Sequence, residues 1–288
     1  MIAAPALPPA PGEQGYALIA AVAAIAVFGA LALAITTATR ISIAGGTGEQ
    51  TRARADAAAD AGVAIALQGL VSGDNETLAL IGGRSRRFEF AGSHVSIRIT
   101  DERGKIPLNH IEDDTATQML EQAGLSGERL AVARDSLLDW IDDDDQPRAN
   151  GAEAAEYAPL GIAPRNGGLL SVDELARIRG FTPALVKQLR PYVTVDAGAQ
   201  PFDPTHAQPQ ALAVMSWAGA DSPEVIERQR ELAGQRVALE IVRPNAIFGH
   251  PLTIAVDADA AGGGHAHHEV VVVVTGRPAQ PYLIHSAS

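Results

Sequence analysis

A long apolar segment near the N-terminus is the feature that most limits what this chain can fold into. Tyr16 to Ile35 is a run of twenty residues without a charge or a proline. A helix rises about 1.5 Å per residue, so this run covers the roughly 30 Å hydrocarbon core of a bilayer. A secretory signal differs, because its apolar region is shorter and its small-residue cleavage site follows that region. The segment therefore predicts a membrane helix at the start of the protein.

The short polar segment before this run resembles the signal of type IV prepilins. Gly12-Glu13-Gln14-Gly15 directly precedes the apolar residues. In prepilins a dedicated peptidase cuts after the glycine and methylates the new N-terminal amine. The resemblance implies that residues 1–15 are a leader, that the peptidase cuts after Gly15, and that Tyr16 becomes the first residue. An ordinary membrane anchor that is never cleaved is the alternative.

Two features of this segment depart from the usual prepilin pattern. Residues 1–15 contain no Lys or Arg, so the positive-inside rule gives no support for a cytoplasmic N-terminus. The fifth residue after the expected cut is Ala20, where major pilins have a glutamate. A carboxylate at that depth is costly unless it is neutralised, which in pilins is done by the terminal amine of a neighbouring subunit. Ala20 is therefore the expected fibre contact of a subunit at the tip, with no subunit above it.

Composition excludes several classes of function. The net charge of -12 argues against nucleic-acid binding, which needs a basic face. The absence of cysteine excludes disulfides, thiol catalysis and thiolate metal sites. No phosphate-binding Gly-Lys-Ser/Thr loop, serine elbow or His-Glu-x-x-His motif occurs, so no enzyme class is indicated.

The periodicity of the remaining sequence predicts an α+β fold. A stalk helix is expected over Glu49–Leu70, with a stripe of small residues, and Arg87–Thr100 alternates like two strands joined at Gly92-Ser93. Further strands are predicted at Arg236–Val242, Pro251–Val256, Glu269–Thr275 and Pro281–His285.

Residues 110 to 195 are instead helical in pattern and interrupt the sheet. The helices predicted in this part are Glu112–Ala123, Gly127–Ile141, Val172–Ile178 and Ala184–Leu189. After a proline-rich connector, two short helices are predicted at Ala211–Trp217 and Pro223–Leu232. Ser171 and Glu174 have the spacing of a capping box for the third helix. The glycine turns at Gly124 and Gly180 resemble helix-hairpin-helix and sterile-alpha-motif-like modules. A DNA-uptake function is disfavoured, because Thr182 replaces the second glycine of DNA-binding hairpins and the surroundings are acidic.

An acidic cluster follows the second of these helices. Asp142 to Asp145 lie at a helix C-terminus, where the macrodipole disfavours anions, so a hard cation such as calcium would gather them. With Asp142 as position 1, Asp144, Asn150 and Glu153 take positions 3, 9 and 12 of an EF-hand, but Pro147 replaces its turning glycine. We therefore expect a calcium loop of another design. The alternatives are a solvated acidic linker and a catalytic carboxylate pair, for which no nucleophile lies nearby.

Three histidines lie close together near the C-terminus. His265, His267 and His268 follow three consecutive glycines. They are predicted to lie in a flexible polar hairpin, and weak zinc or copper binding is the alternative.

Three local signals agree on one family. These are the prepilin-like N-terminus, the helical insertion in a strand-rich chain, and Asp139-Trp140-Ile141-Asp142 leading to Gly151-Ala152-Glu153 and Tyr157. Together they resemble the K-type minor pseudopilins of type II secretion. The resemblance implies a long pilin-like N-terminal helix packed on an antiparallel sheet, a non-enzymatic role at the tip of a pseudopilus, and a single inner-membrane span with a periplasmic domain. It implies as partners the I-type and J-type minor pseudopilins, the prepilin peptidase and the assembly platform.

The resemblance also implies a calcium site and a domain organisation. The candidate calcium ligands are Asp142, Asp144, Asn150, Glu153 and Glu156. The expected segments are a leader (1–15), membrane and stalk helix (16–72), first strands (73–109), helical insertion (110–195) and final strands (196–288). The competing hypothesis is a membrane-anchored, calcium-dependent binding or enzymatic module whose anchor is never cut.

Overall fold

A computed structural model describes residues 48–198, 200–217 and 247–287 and confirms the α+β fold. Two hydrophobic cores are present, one between a helix and a five-stranded sheet and one inside a helical domain. Gly15, Tyr16, Ala20 and the predicted elements at 223–232 and 236–242 lie outside the described residues. Within the described ranges, no helix has both the length and the apolar character needed to cross a bilayer.

The first helix, α1, covers residues 48–72 and packs on the sheet through small side chains. Ala55, Ala58, Ala59 and Ala66 are almost completely buried, which matches the predicted stripe. A Cβ atom on Gly62 would lie 2.6 Å from Cγ1 of Val256, so helix and sheet approach more closely than a side chain allows. After a turn, the Asp74 side chain accepts a hydrogen bond from the Thr77 N–H and caps the short helix α2, Asn75–Leu78.

Five antiparallel strands form the sheet, in the order β1 (Gly82–Phe90), β2 (Ser93–Asp101), β5 (Pro251–Ala260), β6 (Gly264–Arg277) and β7 (Gln280–Ala287). All the strands predicted within the described residues are present, and each extends beyond its predicted bounds. A two-residue turn at Ala91 and Gly92, both with positive φ, joins the first two strands. Two short strands, β3 (Ile106–Pro107) and β4 (Val193–Thr194), pair separately from this sheet.

The histidine segment lies in a hairpin, as predicted, but the three histidines belong to its second strand and not to its loop. His265, His267 and His268 lie in β6, where they pair with β5. Ala258 and Ala260 on β5 and Ala266 on β6 are buried and continue the alternation of the strands. This alternation extends the hairpin to Gly264 and leaves only a short turn at residues 261–263.

The helical domain lies between β2 and β5 in the sequence. It contains α3 (Asp113–Gln122), α4 (Gly127–Ile141), α5 (Ala154–Tyr157), α6 (Pro183–Leu189) and α7 (Pro209–Trp217). Its core includes Leu137, Leu175 and Leu189, and α7 packs against α3 and adds Ala211 and Leu212. The helical core therefore extends past residue 195, where the sequence pattern suggested a boundary.

The helix expected over Val172–Ile178 is a 3₁₀ segment, Val172–Arg177. Its predicted capping box is absent, because the Ser171 side chain makes no capping hydrogen bond and Glu174 Oε2 accepts the Leu170 N–H at 3.3 Å. The segment ends at Arg177, and Gly180 follows with a φ of +90° and a close approach to Ala133 of α4. Thr182 instead caps α6, accepting a hydrogen bond from the Leu185 N–H.

The helical domain joins the sheet through a network of buried charges just after β2. The Arg103 guanidinium contacts Asp101 at 2.6 Å and Asp203 at 3.2 Å. The carboxylate of Glu102 accepts a hydrogen bond from Thr253 Oγ1 and pairs with Lys105, both at 2.6 Å. Parallel pairing of β3 with β4 brings together the two ends of the predicted insertion, residues 110–195. This network fixes the helical domain next to one end of β5.

Candidate metal site in the acidic loop

The loop between α4 and α5 brings three of the predicted ligands together. Asp142, Asp144 and Glu153 each place a carboxylate oxygen within 4.8 Å of the others. Glu153 is buried, Asp142 is half-buried and Asp144 is exposed, so the group opens to solvent on one side. Carboxylate oxygens gathered in this way suit a hard divalent cation. Calcium is such a cation and takes six to eight oxygen ligands.

Glu153 is the strongest indication that the group fits a cation. Both of its Oε atoms are buried and make no hydrogen bond of ordinary geometry among the described residues, although the side chain faces the Glu156 N–H in a capping box. Oδ1 of Asp142 is also buried without a hydrogen-bond partner in this part of the chain. Buried polar atoms are normally hydrogen-bonded, and leaving one unpaired costs free energy. Burial, reinforced by the nearby aspartates Asp139 and Asp142, raises the pKa of Glu153 to about 7. Burial also raises the pKa of Asp142, with Asp144 adding to the effect.

The other two predicted ligands, Asn150 and Glu156, make hydrogen bonds that hold the loop. The Asn150 side chain and backbone N–H both donate to Oδ2 of Asp135, at 3.0 and 3.1 Å. Oε2 of Glu156 accepts the backbone N–H of Glu153 at 2.9 Å. These bonds position the chain around Glu153.

Two buried aspartates one turn apart in α4, Asp135 and Asp139, accept hydrogen bonds from the loop. The sequence pattern did not predict this role. Both oxygens of Asp139 accept the Arg148 N–H at 3.2 Å, and the Arg148 side chain lies 3.4 Å away. Burial raises the pKa of Asp139 despite these bonds. Burial also acts to raise the pKa of Asp135, but bonds from Asn150 and Arg134 outweigh it and lower that pKa. The available signal was two carboxylates four residues apart in the helix that leads into the acidic cluster.

Packing behind the loop fixes its path. A Cβ atom on Gly151 would lie 1.7 Å from Oδ2 of Asp139, so only glycine fits there. The rings of Trp140 and Tyr157 meet edge to face, with their centroids 5.2 Å apart. The Tyr157 hydroxyl accepts the Arg179 N–H at 3.1 Å, and the Arg179 side chain donates to the Gly151 carbonyl at 3.3 Å. The candidate ligands are therefore held by a rigid support.

A second group of metal-type side chains lies near the domain junction. Asp101, Asp203 and His206 bring ligand atoms within 4.8 Å of one another. Arg103 lies between the two carboxylates and contacts both. Burial tends to raise the pKa of Asp203, but hydrogen bonds from His206 and Thr205 outweigh it and lower that pKa. The group is therefore a satisfied ion-pair network.

Comparison with known sequences finds relatives of the helical part of the chain. A family model described as "Type II secretion system (T2SS), protein K" matches residues 99–197. The type II secretion system protein K of Klebsiella pneumoniae is 34% identical over 125 residues, which are 38% of each chain. The protein of the same name from Pectobacterium carotovorum is 30% identical over 124 residues, 37% of this chain and 38% of the relative. The chain thus spans little more than a third of the length of these relatives.

Comparison with solved structures extends the likeness in fold to most of the chain. A chain in the crystal structure of the GspK-GspI-GspJ complex from enterotoxigenic Escherichia coli superposes with a TM-score of 0.60. The match covers 84% of this chain and 98% of that chain, at 11% sequence identity, and so shows a shared fold. The acidic loop lies inside the segment that the family model matches. Residues 99–197 of this chain are therefore similar in sequence to the type II secretion system protein K family.

Proposed function

We propose that this protein is a minor pseudopilin at the tip of a type II secretion pseudopilus. Its role is to initiate or cap the fibre used to export folded proteins across the outer membrane, and it is structural, not enzymatic. The observation that carries the proposal is a protein K helical domain inserted into a sheet that packs on a long helix. This arrangement has the fold found in the GspK-GspI-GspJ complex.

The proposed location is the inner membrane, with a single span and the described domains in the periplasm. The apolar run Tyr16–Ile35 supports this location, and prepilin peptidase is the proposed processing enzyme. Removal of residues 1–15 would expose the membrane helix as the packing element of the fibre. Ala20 supports a position at the tip because it needs no neutralising neighbour above it.

Processing is tested by determining the N-terminus of the protein purified from the membrane fraction. Cleavage is expected after Gly15, which leaves an N-methylated Tyr16. A Gly15→Val variant is expected to stay uncut, whereas the control Gly12→Val is cut normally. Retention of Met1 in the parent protein would favour the uncleaved membrane-anchored module instead.

The proposed partners are the I-type and J-type minor pseudopilins, together with the assembly platform in the membrane. The fold shared with the GspK-GspI-GspJ complex supports these partners. The test is to purify the full chain in detergent from cells that express the pseudopilins of the same organism, and to identify co-purifying proteins by mass spectrometry. Both minor pseudopilins are expected at stoichiometric amounts. Their absence, with the protein folded, would contradict the proposal.

Calcium is the proposed ligand of the acidic loop, held by Asp142, Asp144 and Glu153. The unpaired buried oxygens of Glu153 support it, because a cation would satisfy them. Asn150 and Glu156, the other two candidates, hold the loop through Asp135 and Glu153. The ion would fix α4 relative to α5 and complete the folded loop, so its effect is on stability.

Thermal unfolding with increasing calcium tests this site. Calcium at 100 times its Kd should stabilise the protein by about 2.7 kcal/mol. Asp144→Asn should weaken this response, because it removes an exposed ligand without disturbing the core. The matched control is Asp143→Asn, since Asp143 is also exposed in the loop but lies outside the group. Equal calcium responses in the two variants would contradict the ligand set.

A further inference from the structure

The outer face of the sheet, opposite α1, contains ordered rows of histidine and carboxylate side chains. The inner face is defined by Ile97 and Val256, which are fully buried in the core formed with α1. On the other face, His265 of β6 pairs with Asp259 of β5, and two residues along, His267 pairs with Asp257. Successive same-face residues on a strand are neighbours, so the two pairs lie side by side.

Both histidines are oriented in the same way. Nδ1 of His265 lies 2.8 Å from Oδ1 of Asp259, and Nδ1 of His267 lies 2.7 Å from Oδ1 of Asp257. Each ring thus uses Nδ1 for its carboxylate partner. The side chains of His265 and His267 are 58% and 47% exposed, so the outer edges of both rings reach solvent. The Nε2 atoms are therefore the ring nitrogens available to a ligand.

This arrangement is the one that metal-binding histidines use. A histidine that coordinates a metal through one nitrogen generally donates its other N–H to a carboxylate, which fixes the tautomer and makes the ring a better ligand. Glu269, two residues further along the same face, has Oε2 3.9 Å from Nε2 of His267 and adds negative charge beside that ring. His268 points to the other face, where it pairs with Asp60 of α1 at 3.0 Å.

The charge around the two rings also favours a cation. Asp257, Asp259 and Glu269 lie on β5 and β6 of this face. The face also carries Arg98 on β2 and Arg87 on β1. Neighbouring strands are about 4.8 Å apart, so these arginines lie at least two strands from the histidines on β6. The immediate surroundings of His265 and His267 are therefore net negative.

We infer that His265 and His267 form a binding site for a divalent transition-metal ion that prefers imidazole, of the zinc and copper class. Asp259 and Asp257 orient the two rings, and Glu269 contributes a carboxylate on the same face. Zinc and copper suit imidazole ligands, whereas calcium takes oxygen ligands, so this site and the acidic loop select different ions. The inference does not depend on the proposed function.

Zinc titration of the full chain by calorimetry tests the site, with calcium at a saturating level so that the acidic loop is filled. One zinc ion per chain is expected to bind. His265→Asn and His267→Asn should each weaken zinc binding by at least about tenfold, as should Asp257→Asn through loss of the orienting bond. Copper bound in place of zinc should show two imidazole nitrogens in its electron paramagnetic resonance spectrum.

Two controls test whether zinc binds at these two rings and not elsewhere on the protein. His94→Asn changes an exposed histidine on the same face that lies on β2, across Asp259 from His265, and should leave zinc affinity unchanged. Far-UV circular dichroism of the metal-free variants should match the parent, because all the altered side chains are at least one-third exposed. Zinc binding that is absent, that survives His265→Asn with His267→Asn, or that is lost in Asp144→Asn would overturn the inference.

Discussion

At the scale of single residues, Glu153 shows how the fold determines the chemistry of a side chain. Its carboxylate is buried beside other carboxylates and makes no hydrogen bond of ordinary geometry in the described part of the chain. Asp139 has even less exposure, but Arg148 donates to it. The two acids therefore have different roles, one open to a cation and the other fixing the loop.

Glu153 makes the stability of the calcium-free protein depend on pH. Its pKa is raised from 4.5 to about 7 in the folded state, so between these values the folded protein holds a proton that the unfolded chain has released. The stability that Glu153 contributes is therefore fully present below pH 4.5. As the pH rises to 7, the free energy of unfolding falls by up to about 3 kcal/mol. In chelator, the free energy of unfolding of Glu153→Gln relative to the parent should rise across this range. A constant difference between the two would contradict the assignment.

Gly151 is expected to tolerate no side chain. In Gly151→Ala the new Cβ would clash with Asp139, so the loop must move away from α4, at a cost of about 1–3 kcal/mol. Urea denaturation measures this loss. Gly167→Ala is the matched control, because its Cβ would meet only a carbonyl oxygen at 3.9 Å. Similar losses in both variants would show that the contact with Asp139 is not the cause.

At the scale of elements, strands and long helices followed from their periodicity, whereas short segments depended on their neighbours. α4 begins and ends where the spacing of its apolar residues predicted, because Leu130, Leu137 and Leu138 form one buried face. The 3₁₀ segment Val172–Arg177 has a helical pattern in sequence but adopts the tighter form. The histidine segment forms part of β6 because it pairs with the neighbouring strand β5.

The close contact of α1 with the sheet predicts a position-dependent effect of side-chain size. Gly62→Leu would push Val95 and Val256 away from the helix and destabilise the protein by about 1–3 kcal/mol or more. Ala64→Leu adds the same side chain to the exposed side of α1 and should change stability by less than about 0.5 kcal/mol. Chemical denaturation of the two variants measures both effects. A neutral Gly62→Leu would mean that α1 is not packed as described.

At the scale of the whole molecule, the helical domain and the sheet meet through charges as well as through apolar contacts. Arg103 joins Asp101, at the end of β2, to Asp203, one hundred residues later in the chain. Its side chain is only 14% exposed, and Asp101 is almost fully buried. Removing one partner of a buried ion pair leaves an uncompensated charge, which makes this junction sensitive to substitution.

Arg103→Met is expected to destabilise the protein by about 3–5 kcal/mol, because it leaves the buried carboxylate of Asp101 without its cation. Arg190→Met is the control, since Arg190 pairs with Asp173 at an exposed position where such pairs contribute about 1 kcal/mol or less. Differential scanning calorimetry should show a large decrease in Tm for the first variant and little change for the second. Equal shifts would indicate that Arg103 does not hold the junction.

The α+β class, the helical insertion and the three carboxylates that meet in the loop were all predictable from the order of the residues. These depend on local periodicity and on residues close together in the chain, such as Asp142 and Asp144. Three features became visible in the folded chain alone: Asn150 and Glu156 hold the loop, α7 belongs to the helical core, and His265 and His267 are paired with aspartates. Each of these depends on a contact between distant segments or on burial, which the order of residues along the chain does not fix.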